Sequence, residues 1–332
     1  MAPQKPDDDI TLTGAMSLAE MLAGERAPGP RLHDGHCHFF STRFFELIAA
    51  QIPGGGPGKS QGSAEALCAR LGWEDPDSPE ALADRWVDQL DRYGVGRAML
   101  IASLPGDEGS VAAAVARHPS RVVGAFMVNP VAPDGLQRVR AALGAPGLRT
   151  VCLFPAMHRY SLADPKVAEV VGAVAASPGA VLFVHCGVLT VGVRQKLGLQ
   201  SRFELRYGNP LDVQRLAIDF PQLPIIVPHF GAGFFREALM LADACANVVL
   251  DTSSSNGWIK YQPGLTLTEV FRSALAVAGP DRLMFGTDSS FFPRGWQSPI
   301  HEQQRAVLDE LGVDEATKGA IFGGTFERLF PV

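Results

Sequence analysis

From residue 31 onward, short apolar runs alternate with longer stretches whose hydrophobic residues recur at helical spacing. Eight of the runs read as strands: 31–39, 95–102, 121–129, 149–155, 180–186, 223–229, 247–253 and 282–288. Most are continuous series of Val, Leu, Ile and Phe, the pattern of a parallel sheet covered by helices on its outer face. The stretch from Ser78 to Tyr93 reads as a helix with Ser78 as cap and Pro79 at the first position, and residues 267–278 form another. Eight βα units joined by right-handed crossovers close into a cylinder, so the expected fold is α/β, a single (β/α)8 TIM-type barrel. A doubly wound open sheet would carry a glycine-rich phosphate loop after an early strand, and no G-x-G-x-x-G follows any of the eight.

Two segments fall outside this alternation. Residues 1–30 read as a polar leader with one short helix, marked by a capping box of Ser17 and Glu20. About 40 residues, from 40 to 78, form an insertion after strand one that contains a helix-like stretch at 41–51 and the glycine cluster at 53–59. The cluster lacks phosphate-loop spacing and reads as a bend. The insertion leaves the C-terminal end of its strand, which is the catalytic face of a barrel, so it serves either as a lid or as an excursion packed on the outer ring. Residues 31–332 are expected to make one domain.

Composition narrows the partners. A chain of 332 residues with 46% hydrophobic and 19% charged residues has ample core material. The net charge of -6 offers no general attraction to nucleic acid or anionic membranes, which leaves a small molecule as the expected partner. The first residues lack the apolar core of a signal peptide and no run is long enough for a membrane span, so a cytoplasmic location is expected. Five cysteines without a CxxC pair read as small core residues.

The chemistry is concentrated at the predicted strand ends. His36 and His38 end the first strand, His185 the fifth, His229 the sixth and Asp288 the eighth, so four of eight histidines fall on one face. In His-x-His, the two-residue period of a strand puts both rings on the same side. Imidazoles with a carboxylate suit Zn²⁺, Mn²⁺ or Fe²⁺ while leaving a position for water or substrate. Such a site lowers the pKa of bound water from about 15.7 toward about 7. Asp288 can ligate and accept a proton, and His229 is either a further ligand or an acid/base. The loop after strand four brings His158 and Arg159 to the same face as candidates for an anionic substrate, with Arg43 and Arg236 as further clamps. Asp251, at the end of strand seven, is placed to orient a ligand histidine. The aromatics of 289–296 are expected to wall the pocket.

Asp34-Gly-His36-Cys-His38, Val184-His185-Cys-Gly, Pro228-His229-Phe-Gly, Phe285-Gly-Thr-Asp288 and the tail that begins at Gly323 resemble the amidohydrolase superfamily. The resemblance is to its amidohydrolase-related branch of semialdehyde and resorcylate decarboxylases and dicarboxylate lactonases, and it spans about residues 31 to 330. It implies that His36, His38, His185 and Asp288 hold one metal while His229 activates water or polarises substrate. Binuclear relatives carry a bridging lysine or glutamate at the end of strand four, where this chain has Leu153-Phe154, so one divalent ion is expected, with zinc first. The resemblance also suggests homodimers.

The leading expectation is metal-dependent hydrolysis of a small ester, lactone or amide, with a carboxylate on the substrate. The resemblance permits equally a non-oxidative decarboxylation of an aromatic or muconate-like acid. A non-catalytic barrel with a structural metal is the minor alternative.

Overall fold

The structure is a computed structural model and describes residues 32–52 and 63–332. Eight parallel strands pair in chain order: β1 (His33–Phe39), β2 (Arg97–Ala102), β3 (Val122–Val128), β4 (Leu148–Leu153), β5 (Val181–Val184), β6 (Ile225–Val227), β7 (Val248–Asp251) and β8 (Leu283–Met284). Helices lie between them, making the (β/α)8 barrel. The leader, with Ser17 and Glu20, and the glycine cluster at 53–59 lie outside the described residues.

All eight expected strands are present, and the later ones are shorter than their apolar runs. β6 stops at Val227 because the chain turns at once: His229 and Phe230 take left-handed backbone conformations, with φ of 55° and 52°. β8 has only two residues, since the chain from Phe285 onward hands its hydrogen bonds to β1 and to the C-terminal helices. His185, His229 and Asp288 therefore sit just beyond the strands rather than in them.

Alternate strand residues face two apolar layers, as the period of a strand dictates. Met99, Ile101, Val123, Met127, Phe183, Ile226 and Met284 fill the barrel interior, and Phe326, Leu329 and Phe330 plug its lower end. Leu100, Phe126, Val151, Leu182 and Leu250 face outward against helix residues such as Trp86, Val170 and Phe271. Helix Pro79–Arg92 starts where the sequence puts it, with Ser78 Oγ accepting from Ala81 N–H at 3.2 Å. Such a cap contributes about 1 kcal/mol.

The described parts of the insertion, residues 40–52 and 63–78, build a core apart from the outer ring. Helices Thr42–Ala49 and Ala64–Leu71 build a small core of their own from Phe44, Phe45, Ile48, Leu67 and Cys68. That core is completed by Val193 and Leu197 from the loop after β5, so these two helices stand over the C-terminal end of the barrel.

The barrel closes between β1 and β8 by backbone bonds from Gly35 to Phe285, from Asp288 to His36 and from His38 to Ser289, at 2.7–2.9 Å. Asp34 fastens this seam. Its fully buried carboxylate accepts the N–H groups of His36 and Thr287, the Thr287 hydroxyl and the Trp296 indole N–H. Close approach of the strands requires glycine: a Cβ on Gly35 would lie 2.5 Å from Met284 Cε, and one on Gly286 would lie 2.7 Å from His36 Cβ. Trp296→Phe removes one charge-assisted hydrogen bond at the seam and should lower unfolding free energy by about 1.5–3 kcal/mol. A urea titration should show the lower midpoint at unchanged slope; an unchanged midpoint would show that Asp34 does not need the indole.

Candidate metal centre

The three-residue group is built on two strand ends. β1 has a register irregularity between Asp34 and Cys37, which turns His36 and His38 toward the barrel mouth with ring centroids 5.2 Å apart. Asp288, at φ 60°, follows β8, and backbone strain of this kind at Asp288 and His229 is held by the surrounding packing. The ligand atoms of His36, His38 and Asp288 lie within 4.8 Å of one another, and among the described residues this is the one such group that could hold a metal ion.

Hydrogen bonding decides which nitrogen of each ring is free. Asp251, wholly buried, lies 2.7 Å by Oδ2 from His36 Nδ1, and a carboxylate only accepts, so Nδ1 carries a proton and the neutral ring has its lone pair on Nε2; against burial, Asp251 and then Asp288 raise the pKa of this ring. His36 Nε2 is buried without a hydrogen-bond partner, and Asp288 Oδ1 stands 3.7 Å away, beyond bonding distance. Ser103 Oγ donates to Ile101 O at 3.0 Å and accepts from His38 Nδ1 at 2.7 Å. A neutral His38 then turns its Nε2 lone pair on Asp288 Oδ1 at 3.0 Å. Two acceptors facing each other need an added positive charge between them, a proton or a metal ion. The donor set thus fits a divalent cation of the type imidazole and carboxylate prefer.

Three further rings border the centre. His229 lies 5.0 Å from His36 and 5.3 Å from His185 by ring centroid, and His185 stacks on Phe154 at 5.0 Å. His185 lines the same cavity and stands beside the three-residue group rather than within it. His229 Nδ1 donates to the Ser253 carbonyl at 3.2 Å, which leaves its Nε2 as an acceptor. Burial above all pushes His229 below the usual histidine range and His185 well below it, and a proton on His36 would lower both further. Burial raises the Asp288 carboxyl, but the imidazoles around it, His38 first and then His36 and His229, outweigh burial and hold it low when they carry the added proton.

The centre opens into a cavity of about 1240 Å³. Its lining includes seven basic residues, Arg138, Arg159, Arg194, Lys196, Arg202, Lys260 and Arg294, against the acidic Asp134 and Asp288, in a chain of net charge -6. His158 also lines it, at the end of the short helix Pro155–His158. Two expected clamps are elsewhere: Arg43 pairs with Glu46 and Arg236 with Glu237, with side chains 52% and 83% exposed, and neither lines the cavity. Both lie on helices whose polar faces turn to solvent, a direction that distance along the chain does not reveal. Of the aromatics at 289–296, Phe291 walls the cavity, stacked on Trp73 at 3.8 Å, whereas Trp296 is buried at the β1–β8 seam.

A family model described as amidohydrolase matches residues 34–332. The chain belongs to the amidohydrolase family. Among solved structures, this amidohydrolase is similar to a 5-carboxyvanillate decarboxylase from Novosphingobium aromaticivorans complexed with manganese and 4-hydroxy-3-methoxy-5-nitrobenzoic acid. The identity is 15%, the coverage 92% of this chain and 97% of that one, and the TM-score 0.62. It is also similar to a probable 2-pyrone-4,6-dicarboxylic acid hydrolase from Acinetobacter baumannii with citric acid bound, at 12% identity, 91% and 100% coverage and a TM-score of 0.57. Both likenesses are of fold. In sequence, the protein fluG of Emericella nidulans is 27% identical over 113 residues, 34% of this chain. The match spans only 12% of that protein's length.

Sequence reasoning missed Asp34, Ser103 and Ser253 as partners of the histidines, and most of the basic rim. Asp34, two positions before His36, and the polar run at 252–256 after Asp251, able to cap a helix or to hydrogen-bond substrate, carried signals; Ser103 and the rim become neighbours only when the barrel closes.

His158 yields a test of pH dependence. Burial lowers its pKa to about 4 from the ordinary 6.5, and its Nδ1 is buried without a partner. The unfolded chain therefore takes up a proton between about 6.5 and 4 that the folded chain refuses, and stability is lost as pH falls through that window. His158→Gln should flatten this part of the curve in chemical denaturation from pH 7 to pH 4. A curve parallel to wild type would contradict the burial argument.

Proposed function

We propose that this amidohydrolase is a hydrolase that uses one divalent ion, held by His36, His38, Asp288 and the adjacent His185, to open a small carboxylate-bearing ester, lactone or amide. The observation that carries the reading is the convergence of two Nε2 lone pairs and a carboxylate oxygen with no proton assigned between them. Zinc or manganese suits this donor set, and the manganese of the Novosphingobium structure, on the same fold, supports the same chemistry here. When bound, the ion supplies Lewis-acid chemistry toward an oxygen donor.

The chain's own groups do the rest. His229, with Nδ1 held by Ser253, offers Nε2 to take a proton from the attacking water and to return it to the departing oxygen or nitrogen. Asp251 and Ser103 keep the rings of His36 and His38 oriented. Arg159 and Arg202 line the cavity without an acidic partner among the described residues and are available for the substrate carboxylate. His158 borders them. Arg138, by contrast, is already committed to Asp134 and Glu108.

A second reading, decarboxylation of an aromatic acid, draws on the flat wall made by Phe40, Trp73 and Phe291. That reaction requires delivery of a proton to the carbon that loses carbon dioxide. His229 Nε2, unprotonated in the arrangement its Ser253 bond imposes, is a proton acceptor, and hydrolysis therefore ranks first.

After dialysis against a chelator and reloading with Mn²⁺, wild type should retain the ion. His36→Ala should bind it more weakly by at least the roughly 10–100-fold that loss of a mere outer partner costs. Unchanged metal content would refute the ligand assignment. Loaded enzyme given aromatic lactones should release acid without carbon dioxide. Carbon dioxide from hydroxybenzoates, with lactones untouched, would replace hydrolysis by the second reading.

A further inference from the structure

The three polar groups of one fully buried residue, Ser253, all enter the catalytic centre. Its N–H donates to Asp251 Oδ1 at 2.6 Å, fixing the carboxylate whose other oxygen holds His36. Its carbonyl accepts from His229 Nδ1 at 3.2 Å. Its Oγ lies 3.0 Å from His36 Nδ1 and 2.9 Å from His229 Nδ1, between rings that belong to two different strand ends.

From this geometry we propose that Ser253 is a positioning residue whose hydroxyl oxygen accepts from both Nδ1–H groups and so sets the tautomer of the metal-binding ring and of the proton-accepting ring together. The inference rests on His36 as a ligand and His229 as the base. Each Nδ1 has a second acceptor, the Asp251 carboxylate for His36 and the Ser253 carbonyl for His229. The hydroxyl therefore receives two shared hydrogens with its two lone pairs, an arrangement that requires its own O–H to point away from both rings and that alanine cannot make. With both protons on Nδ1, both Nε2 atoms are left as acceptors, the state that ligation at one and proton abstraction at the other demand. A ring turned to the other tautomer would present N–H where a lone pair is needed.

The position is tightly enclosed. A Cβ on Gly286 would come within 2.9 Å of Ser253 Cβ, so threonine is not a conservative probe here. Alanine removes only the oxygen, and cysteine keeps a side chain of similar shape with a weak acceptor.

The test uses protein labelled with ¹⁵N-histidine. In metal-free wild type at alkaline pH, where His36, raised against burial by Asp251 and Asp288, has lost its second proton, both His36 and His229 should show protonated Nδ1 and unprotonated Nε2. In Ser253→Ala and Ser253→Cys, the His229 signal should gain an Nε2–H population, and Mn²⁺ affinity should fall by about 10–100-fold, the size of an outer-partner effect. Circular dichroism establishes that each variant is folded. If alanine disturbs the fold, cysteine carries the test. Wild-type ring signals with unchanged Mn²⁺ affinity in a folded variant would overturn the proposal. Because the ring signals are read without substrate, a failure of the hydrolysis reading leaves this result separately interpretable.

Discussion

The Nδ1 proton of His36, held at 2.7 Å by the buried carboxylate of Asp251, is the constraint on which the centre depends. It removes the ambiguity of a neutral imidazole and turns a lone pair, with no partner of its own, toward Asp288. Ser103 does the same for His38 with a weaker acceptor. The result is a pocket of electron pairs in a buried setting, an arrangement costly to leave unmatched and suited to a cation. Charge at the site and charge of the chain run in opposite directions: the protein is acidic overall, yet its cavity is lined mainly by arginine and lysine. That contrast gives an anionic substrate a local attraction that the net charge does not predict.

The scaffold serves this proton arrangement through one seam. β1 and β8 must meet for His36, His38 and Asp288 to converge, and they do so over Gly35 and Gly286, where any side chain would collide with Met284 or His36. Asp34 ties the same seam with four donors. Stability and ligand geometry are therefore fixed by the same few residues. The insertion after β1 adds a wall rather than an ornament. Phe40, Phe44 and Trp73 from this region line the cavity, and its small core is shared with the loop after β5.

Much of this was legible in the chain itself. Continuous apolar runs, with caps such as Ser78, predict every strand and the barrel, because parallel strands under helices need no polar face. His36, His38 and Asp288 follow from strand-end position, which the barrel makes equivalent to proximity. Arg43 and Arg236 fail for the opposite reason: they sit on helices, where a residue's direction depends on packing that distance along the chain does not encode. Trp296 looked like a pocket wall by its neighbours, and the seam claimed it instead. Ser103 is an ordinary serine in sequence and Ser253 stands out only as part of the polar run after Asp251; the folded chain places both against the imidazoles.

The central claim is that a metal ion is held by imidazoles and a carboxylate at the β1–β8 seam. X-ray absorption on the manganese- or zinc-loaded protein reads the ligand shell directly. The account predicts nitrogen and oxygen neighbours only, with the outer-shell scattering of several imidazoles, and loss of one imidazole in His38→Ala. A sulfur shell, pointing to Cys37 or Cys186, or a shell without imidazole scattering, would contradict it.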